Sequence, residues 1–186
     1  MAENLKVGRV QRFTADVWRN HACCVVFMHE HDLNNRPDWS QKVVNAIVKA
    51  QQWTREHRAE AAALLSKSGP NKYTPHDPAV LTKVLAPAAS DRADYIATGA
   101  IQHQQWDEKR IDFQPYPYPS YTQELVTRLK RTLIEGNNAF LADLDPAHVA
   151  GDLVDDRFVR NAIASVGGPS VFGIGDSFER SEEFAV

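Results

Sequence analysis

The sequence predicts a mostly α-helical chain with one or two short strands near its N-terminus. Three observations predict it: amphipathic runs at helical spacing recur from Asp38 onward, proline and acidic residues punctuate them, and only the first 28 residues carry strand-like patterns. With 186 residues the chain suits one domain, or one part of a two-lobed protein. Apolar residues make up 43% and charged residues 24%, the balance of a chain that buries a core.

From Lys6 to Thr14, Val7, Arg9, Gln11 and Phe13 alternate against Gly8, Val10 and Arg12, a strand pattern. A turn over Ala15 to Trp18 leads to a second run, Cys23 to Met28, apolar on both faces and so expected to lie buried in a covered sheet. Pro37 and Asp38 open the best helix, about 38–55. Its predicted buried stripe is Trp39, Val43, Ile47 and Ala50, joined by Val44 and Val48.

Helices are expected next at about 58–67 and, with Asp77-Pro78 as cap, at about 78–86. Another is expected from Tyr95 to Glu108. Alternate prolines in Asp112 to Pro119 then impose an extended loop. Ser120 is expected to cap a helix presenting Tyr121, Leu125, Leu129 and Leu133, ended by Gly136; Asp145-Pro146 and Asp155 or Asp156 start two more. The expected organisation is a strand-plus-helices core over 7–110, the Pro/Tyr loop over 111–119, C-terminal helices over 120–166 and an irregular tail over 167–186.

A net charge of −3 argues against a nucleic-acid partner. No uninterrupted apolar run reaches the length of a spanning helix, and Met1 to Lys6 show no secretory signal pattern. The two cysteines, Cys23 and Cys24, are adjacent, which disfavours a structural disulfide. His29, His31 and Asp32 near them suggest a metal, but no spacing typical of a zinc site is present, and neither a metal nor another cofactor is expected. With no GxSxG and no distinctive carboxylate pair, catalysis is not expected either.

Arg36-Pro37-Asp38-Trp39, Trp53 and Glu60-Ala61-Ala62-Ala63-Leu64-Leu65, placed after the apolar run from His21, resemble the middle of the nitrate/sulfonate/bicarbonate-type (NMT1/THI5-like) solute-binding proteins of ABC importers. Trp18-x-x-His21-Ala22-Cys23-Cys24 resembles a family segment of the form Trp-x-x-(His/Asn)-Pro-x-x that faces the ligand cleft. Ala22 stands where proline is usual, and Cys24 where nitrate binders carry a charge, so the solute stays open.

The resemblance implies an α/β, type II periplasmic-binding-protein architecture of which this chain is the C-terminal portion, without its first lobe. It implies capture of a small anionic solute for an ABC permease/ATPase complex, in the periplasm, or in the cytoplasm if the chain is made as given. Trp18, His21, Cys23 and Cys24 would line the site, with Tyr116 and Tyr118 as an aromatic rim; the residues alone favour a proline loop packed on the core over that rim. The remaining expected partner is the first lobe or a second copy. The alternative from the resemblance is a substrate-sensing regulatory domain, and from the residues a small metal enzyme on His21, Cys23, His29 and His31.

Overall fold

The structure is a computed structural model that describes residues 2–106 and 111–185. The helices are α1 (Glu30–Asn35), α2 (Pro37–Glu56), α3 (Arg58–Leu65), α4 (Pro78–Leu85), α5 (Ala89–Ala97), α6 (Pro119–Leu129), α7 (Pro146–Leu153) and α8 (Arg157–Ser165), with short 3-10 turns at Thr14–Asp16, Ala139–Asp143 and Pro169–Phe172. Two compact units interleave along the chain. One comprises Met1–His21, Gln52–Phe113 and Glu183–Val186; the other comprises Ala22–Gln51 and Gln114–Glu182.

In the first unit α3 packs on α4, and Ala61, Ala62 and Leu85 form a small core flanked by Trp53, Leu81 and Phe113. Arg58 ties this unit internally. Its guanidinium donates to the Leu85 and Ile111 carbonyls and, at 2.7 Å, to Asp112, which Arg55 also meets at 3.0 Å. Helix α5 starts earlier than the sequence predicts, because the Asp91 carboxylate accepts the Ala88 N–H (3.1 Å) and fixes the first turn there. It stops at Ala97, where Gly99 takes φ +77°. The last part of the expected 95–108 helix, 107–108, lies outside the described residues, as does the boundary expected at 110. At α4, Pro78 occupies the first turn as expected, but the Asp77 carboxylate pairs with Lys67 (2.6 Å) rather than capping the helix.

In the second unit the core is Val48, Tyr116, Tyr118, Val159, Ala162, Ile163, Phe172 and Ile174. Helix α2 turns inward the Val44 and Val48 edge of the predicted stripe: Ser40 and Val48 are buried and Val44 packs on the core, whereas Trp39 is 41% exposed. Ser40, Val44 and Val48 repeat every four residues and share one face of the helix. The Gln41 side chain holds that register by donating to the Phe158 carbonyl (2.8 Å) and accepting from Asn161 (3.1 Å). Trp39 instead lies under the Arg36 guanidinium, 4.4 Å from its ring centre.

Helix α6 packs on α7. It ends at Leu129, before Leu133 and Gly136, because Arg131 and Thr132 bond back only three residues and the last turn tightens and unwinds. Leu133 is fully exposed, so it does not extend the α6 stripe. The Asp145 carboxylate caps α7 by accepting the His148 N–H at 2.7 Å, as the sequence predicts.

Two expectations are overturned. Among the described residues no strand forms, and one antiparallel bridge, Trp18 with Phe184, is the sole extended pairing. The run expected as a buried strand, Cys23 to Met28, is irregular, with Val25, Val26 and Phe27 exposed by 67, 58 and 91%. Strand propensity is realised only where a neighbouring strand accepts the backbone bonds, and no such partner stands beside this run among the described residues. The tail, expected to be irregular, is so apart from the short 3-10 turn at Pro169–Phe172 and the Phe184 bridge, and it carries Phe172 and Ile174, both nearly inaccessible. The α/β architecture is therefore not seen here; the described chain is helical.

Candidate functional site

The turn expected to line a cleft is built by the first unit's own ends. Thr14 to Asp16 form a 3-10 turn, and the Trp18 ring packs at a tilt against Phe184, ring centres 4.8 Å apart. Arg19 N–H donates to the Glu183 carbonyl and Ala185 N–H to that of Val17, while the Arg19 guanidinium meets the Glu183 carboxylate at 3.0 Å. Asn20 takes the left-handed conformation (φ +55°), which asparagine tolerates, and reverses the chain. His21 closes the turn: its Nδ1 lies 3.2 Å from the Trp18 carbonyl oxygen. A carbonyl only accepts, so Nδ1 carries the proton and Nε2 is left as the nitrogen for a ligand.

Beneath this turn sits a buried charge that the sequence did not reveal. Asp16 is fully buried. Its carboxylate accepts the Gln102 N–H (3.0 Å) and the His103 N–H (2.8 Å) and pairs with Arg12 Nε at 2.6 Å. Burial alone would raise its pKa. The two backbone donors and the charges of Arg12 and His103 outweigh that and hold the carboxyl below the usual range. His103 lies with Nδ1 3.2 Å from the Asp16 carbonyl and stacks on Trp106 at 4.3 Å. The group orders the loop at 100–106, because the Asp16 carboxylate holds the backbone N–H groups of Gln102 and His103, and this makes it scaffold rather than a reactive centre.

Cys23 and Cys24 belong to the second unit, as do Tyr116 and Tyr118, whereas Trp18 and His21 belong to the first. Both cysteines are free and exposed, with Sγ atoms 3.9 Å apart. The Ala22 carbonyl beside them accepts the Tyr121 hydroxyl (3.0 Å), which holds the start of that segment.

Tyr116 and Tyr118 are core residues and not an exposed rim, 5 and 7% accessible. The Tyr116 hydroxyl donates to Asp156 at 2.6 Å and accepts from Arg160 at 2.8 Å, and Arg160 Nε meets the same Asp156 oxygen at 2.6 Å. Burial first, then the Asp156 hydrogen bond and charge, push the Tyr116 hydroxyl up to about 12. Arg160 lies 4.2 Å from the Phe178 ring centre and Arg180 4.4 Å from that of Tyr118. Every group in the Tyr116–Asp156–Arg160 triangle is matched by another, so the proline loop is riveted onto the core.

An open cleft of about 570 Å³ in the second unit is lined by Ser120, Gln123, Glu124, Thr127, Asp145 and Arg180, among others. Ser120, which the sequence predicts as a helix cap, stands on this wall. Its hydroxyl donates to Glu182 instead (2.8 Å), and Arg180 Nε donates to the same carboxylate oxygen. Glu124 pairs with Arg128 and Asp145 caps α7. Three carboxylates against one guanidinium on the walls make this cleft a poor receptacle for an anion. Among the described residues no group of three or more His, Cys, Asp or Glu side chains is arranged to hold a metal ion. No helix among them is long and apolar enough to cross a membrane.

Residues 1–67 match the NMT1-like family. The match covers 67 of 186 residues, runs through Trp18, His21, Cys23 and Cys24 and on through α1, α2 and α3, and stops before Tyr116 and Tyr118. No curated protein and no solved structure matches the chain.

Proposed function

We propose that the chain is a substrate-binding component of an ABC importer for a small anion of the nitrate, sulfonate or bicarbonate kind. The observation that carries this reading is the NMT1-like match, because it falls on the stretch holding the His21 turn. The turn itself supports the reading in one respect: Trp18 and the Asp16 group fix its backbone, and the Nδ1 contact fixes the imidazole. A preset imidazole spends little entropy on capturing a ligand. In this reading the rest of the pocket comes from a first lobe, and the bound solute is delivered to the permease in the periplasm. No step of the proposed role is chemical; it is binding and release, with no cofactor.

Calorimetric titration tests it, with nitrate, bicarbonate, taurine and small carboxylates as probes and a first lobe supplied in trans. One of them should bind saturably. His21→Ala should weaken binding roughly tenfold or more, the worth of about one charge-assisted hydrogen bond. Bound solute should also slow alkylation of Cys23 or Cys24. If none of the probes binds the complemented protein, the importer reading fails. If one binds and His21→Ala changes neither affinity nor alkylation, the assignment of the turn fails.

A further inference from the structure

The chain's two cysteines stand apart from its packing. Both thiols are exposed, their Sγ atoms are 3.9 Å apart, and the Cys24 thiol donates to the Cys23 sulfur. The backbone around them, residues 23–29, has no regular structure. The side chains that follow, Val25, Val26 and Phe27, are exposed, so local rearrangement disturbs no core.

A bond between such neighbours differs from a structural disulfide. Adjacent Cα atoms are about 3.8 Å apart across a trans peptide. Ordinary disulfides span at least about 4.4 Å between Cα atoms, so a vicinal bond is strained and is readily reduced. Strain of this kind excludes a permanent staple and suits a reversible one.

We propose that Cys23 and Cys24 form a thiol-redox modification site, closing to a vicinal disulfide in exchange with small-molecule disulfides such as oxidised glutathione. The Cys23 thiolate attacks one sulfur of the oxidant, whose S–S bond breaks, and one glutathione leaves as thiolate and takes up a proton. Cys24 then gives its proton to solvent and attacks the Cys23 sulfur of the mixed disulfide, expelling the second glutathione. Two protein thiols are oxidised and one glutathione disulfide is reduced to two thiols. The order of attack follows from the hydrogen bond, because the Cys23 sulfur and its charge hold the proton on Cys24 above the usual thiol range. Nothing in this step requires a bound solute, so it stands or falls separately from the importer reading.

The test is equilibration of the full chain in glutathione buffers of graded oxidation, acid quenching and intact-mass measurement. Wild type should lose two hydrogens, with the glutathione adduct only transient, and should regain them on return to reducing buffer. Cys23→Ser and Cys24→Ser should each stop at the single adduct. In the same buffers the folded chain should hold several-fold more of the intramolecular bond than the chain in urea, because the fold presets the two sulfurs. Stable adducts or covalent dimers of wild type at every buffer ratio would overturn the proposal. So would equal bond formation in the folded and unfolded chains.

Discussion

Two apolar stretches of the second unit, Cys23 to Met28 and Pro169 to Phe178, exchange the roles their composition suggests. The first is the more hydrophobic run and leaves Phe27 91% exposed. The second is broken by two glycines and a proline, yet it sinks Phe172 and Ile174 to 3 and 4%. The difference is what each stretch can reach. Gly167 and Gly168 (φ +108° and +92°) end α8 and fold the chain back, so that Phe172 and Ile174 close over the Ile163 side of that helix. The 23–28 run has no comparable turn and no neighbouring strand among the described residues. Hydropathy states what a segment gains by burial; connectivity decides whether it is buried.

The largest expected effect tests that contrast directly. Phe172→Ala should cost about 3–5 kcal/mol of unfolding free energy, and Phe27→Ala less than about 0.5 kcal/mol, measured by urea denaturation. If the two cost the same, the 23–28 run is buried in solution and the contrast collapses. A smaller effect sharpens the register of α2. Val48→Ala should cost about 1.5–3 kcal/mol, whereas Trp39→Ala removes a ring that is partly in water and lies outside the core, and should cost less. A reversal would restore the Trp39 stripe that the sequence pattern suggests.

Helix positions were legible in the sequence, and the faces they bury were less so. Pro37, Pro78, Pro119 and Pro146 each open a helix, as proline's fixed φ and missing N–H allow. Of the predicted α2 stripe, Val44 and Val48 face the core and Trp39 does not, because Trp39, Val43, Val44, Ile47 and Val48 form an apolar band wider than the surface available to cover it. Local pattern could not choose its centre; the Gln41 contacts with Phe158 and Asn161, 117 and 120 residues away, do. The family resemblance nominates Trp18 and His21, but the Asp16 carboxylate beside them depends on backbone donors at Gln102 and His103, which no side-chain motif announces. Tyr116 and Tyr118 were visible as aromatics between prolines. Their burial follows from Asp156, Arg160 and Arg180, which are ordinary surface-type residues in the sequence.

Acid should reach the first unit through Asp16. Its folded-state pKa is depressed, so its stabilisation is complete above the ordinary aspartate range and is lost as pH falls through the folded value. Asp16→Asn should remove that acid-side loss while lowering stability at neutral pH, because a neutral amide replaces the Arg12 partner. An unaltered acid limb in the variant's pH–stability curve would refute the role given to Asp16.

The smallest effect concerns the rivet that holds the proline loop beside Phe178. Tyr116→Phe deletes the hydroxyl but leaves Asp156 paired with Arg160, so no buried carboxylate is stranded. The loss should therefore stay near that of the two hydrogen bonds the hydroxyl makes, partly offset by the surviving ion pair, about 1–2 kcal/mol at neutral pH. Alkaline titration separates this group from the rest of the core. The folded state raises the Tyr116 hydroxyl from 10.0 to about 12, which means that it favours the protonated form. That contribution is complete below the unfolded value and is lost as pH climbs from 10.0 through about 12. Wild type should consequently shed more stability across this window than Tyr116→Phe does, followed by denaturation at successive pH values. Parallel curves for the two proteins would mean that the hydroxyl titrates as if it were in water, and the Tyr116–Asp156–Arg160 triangle would not form in solution.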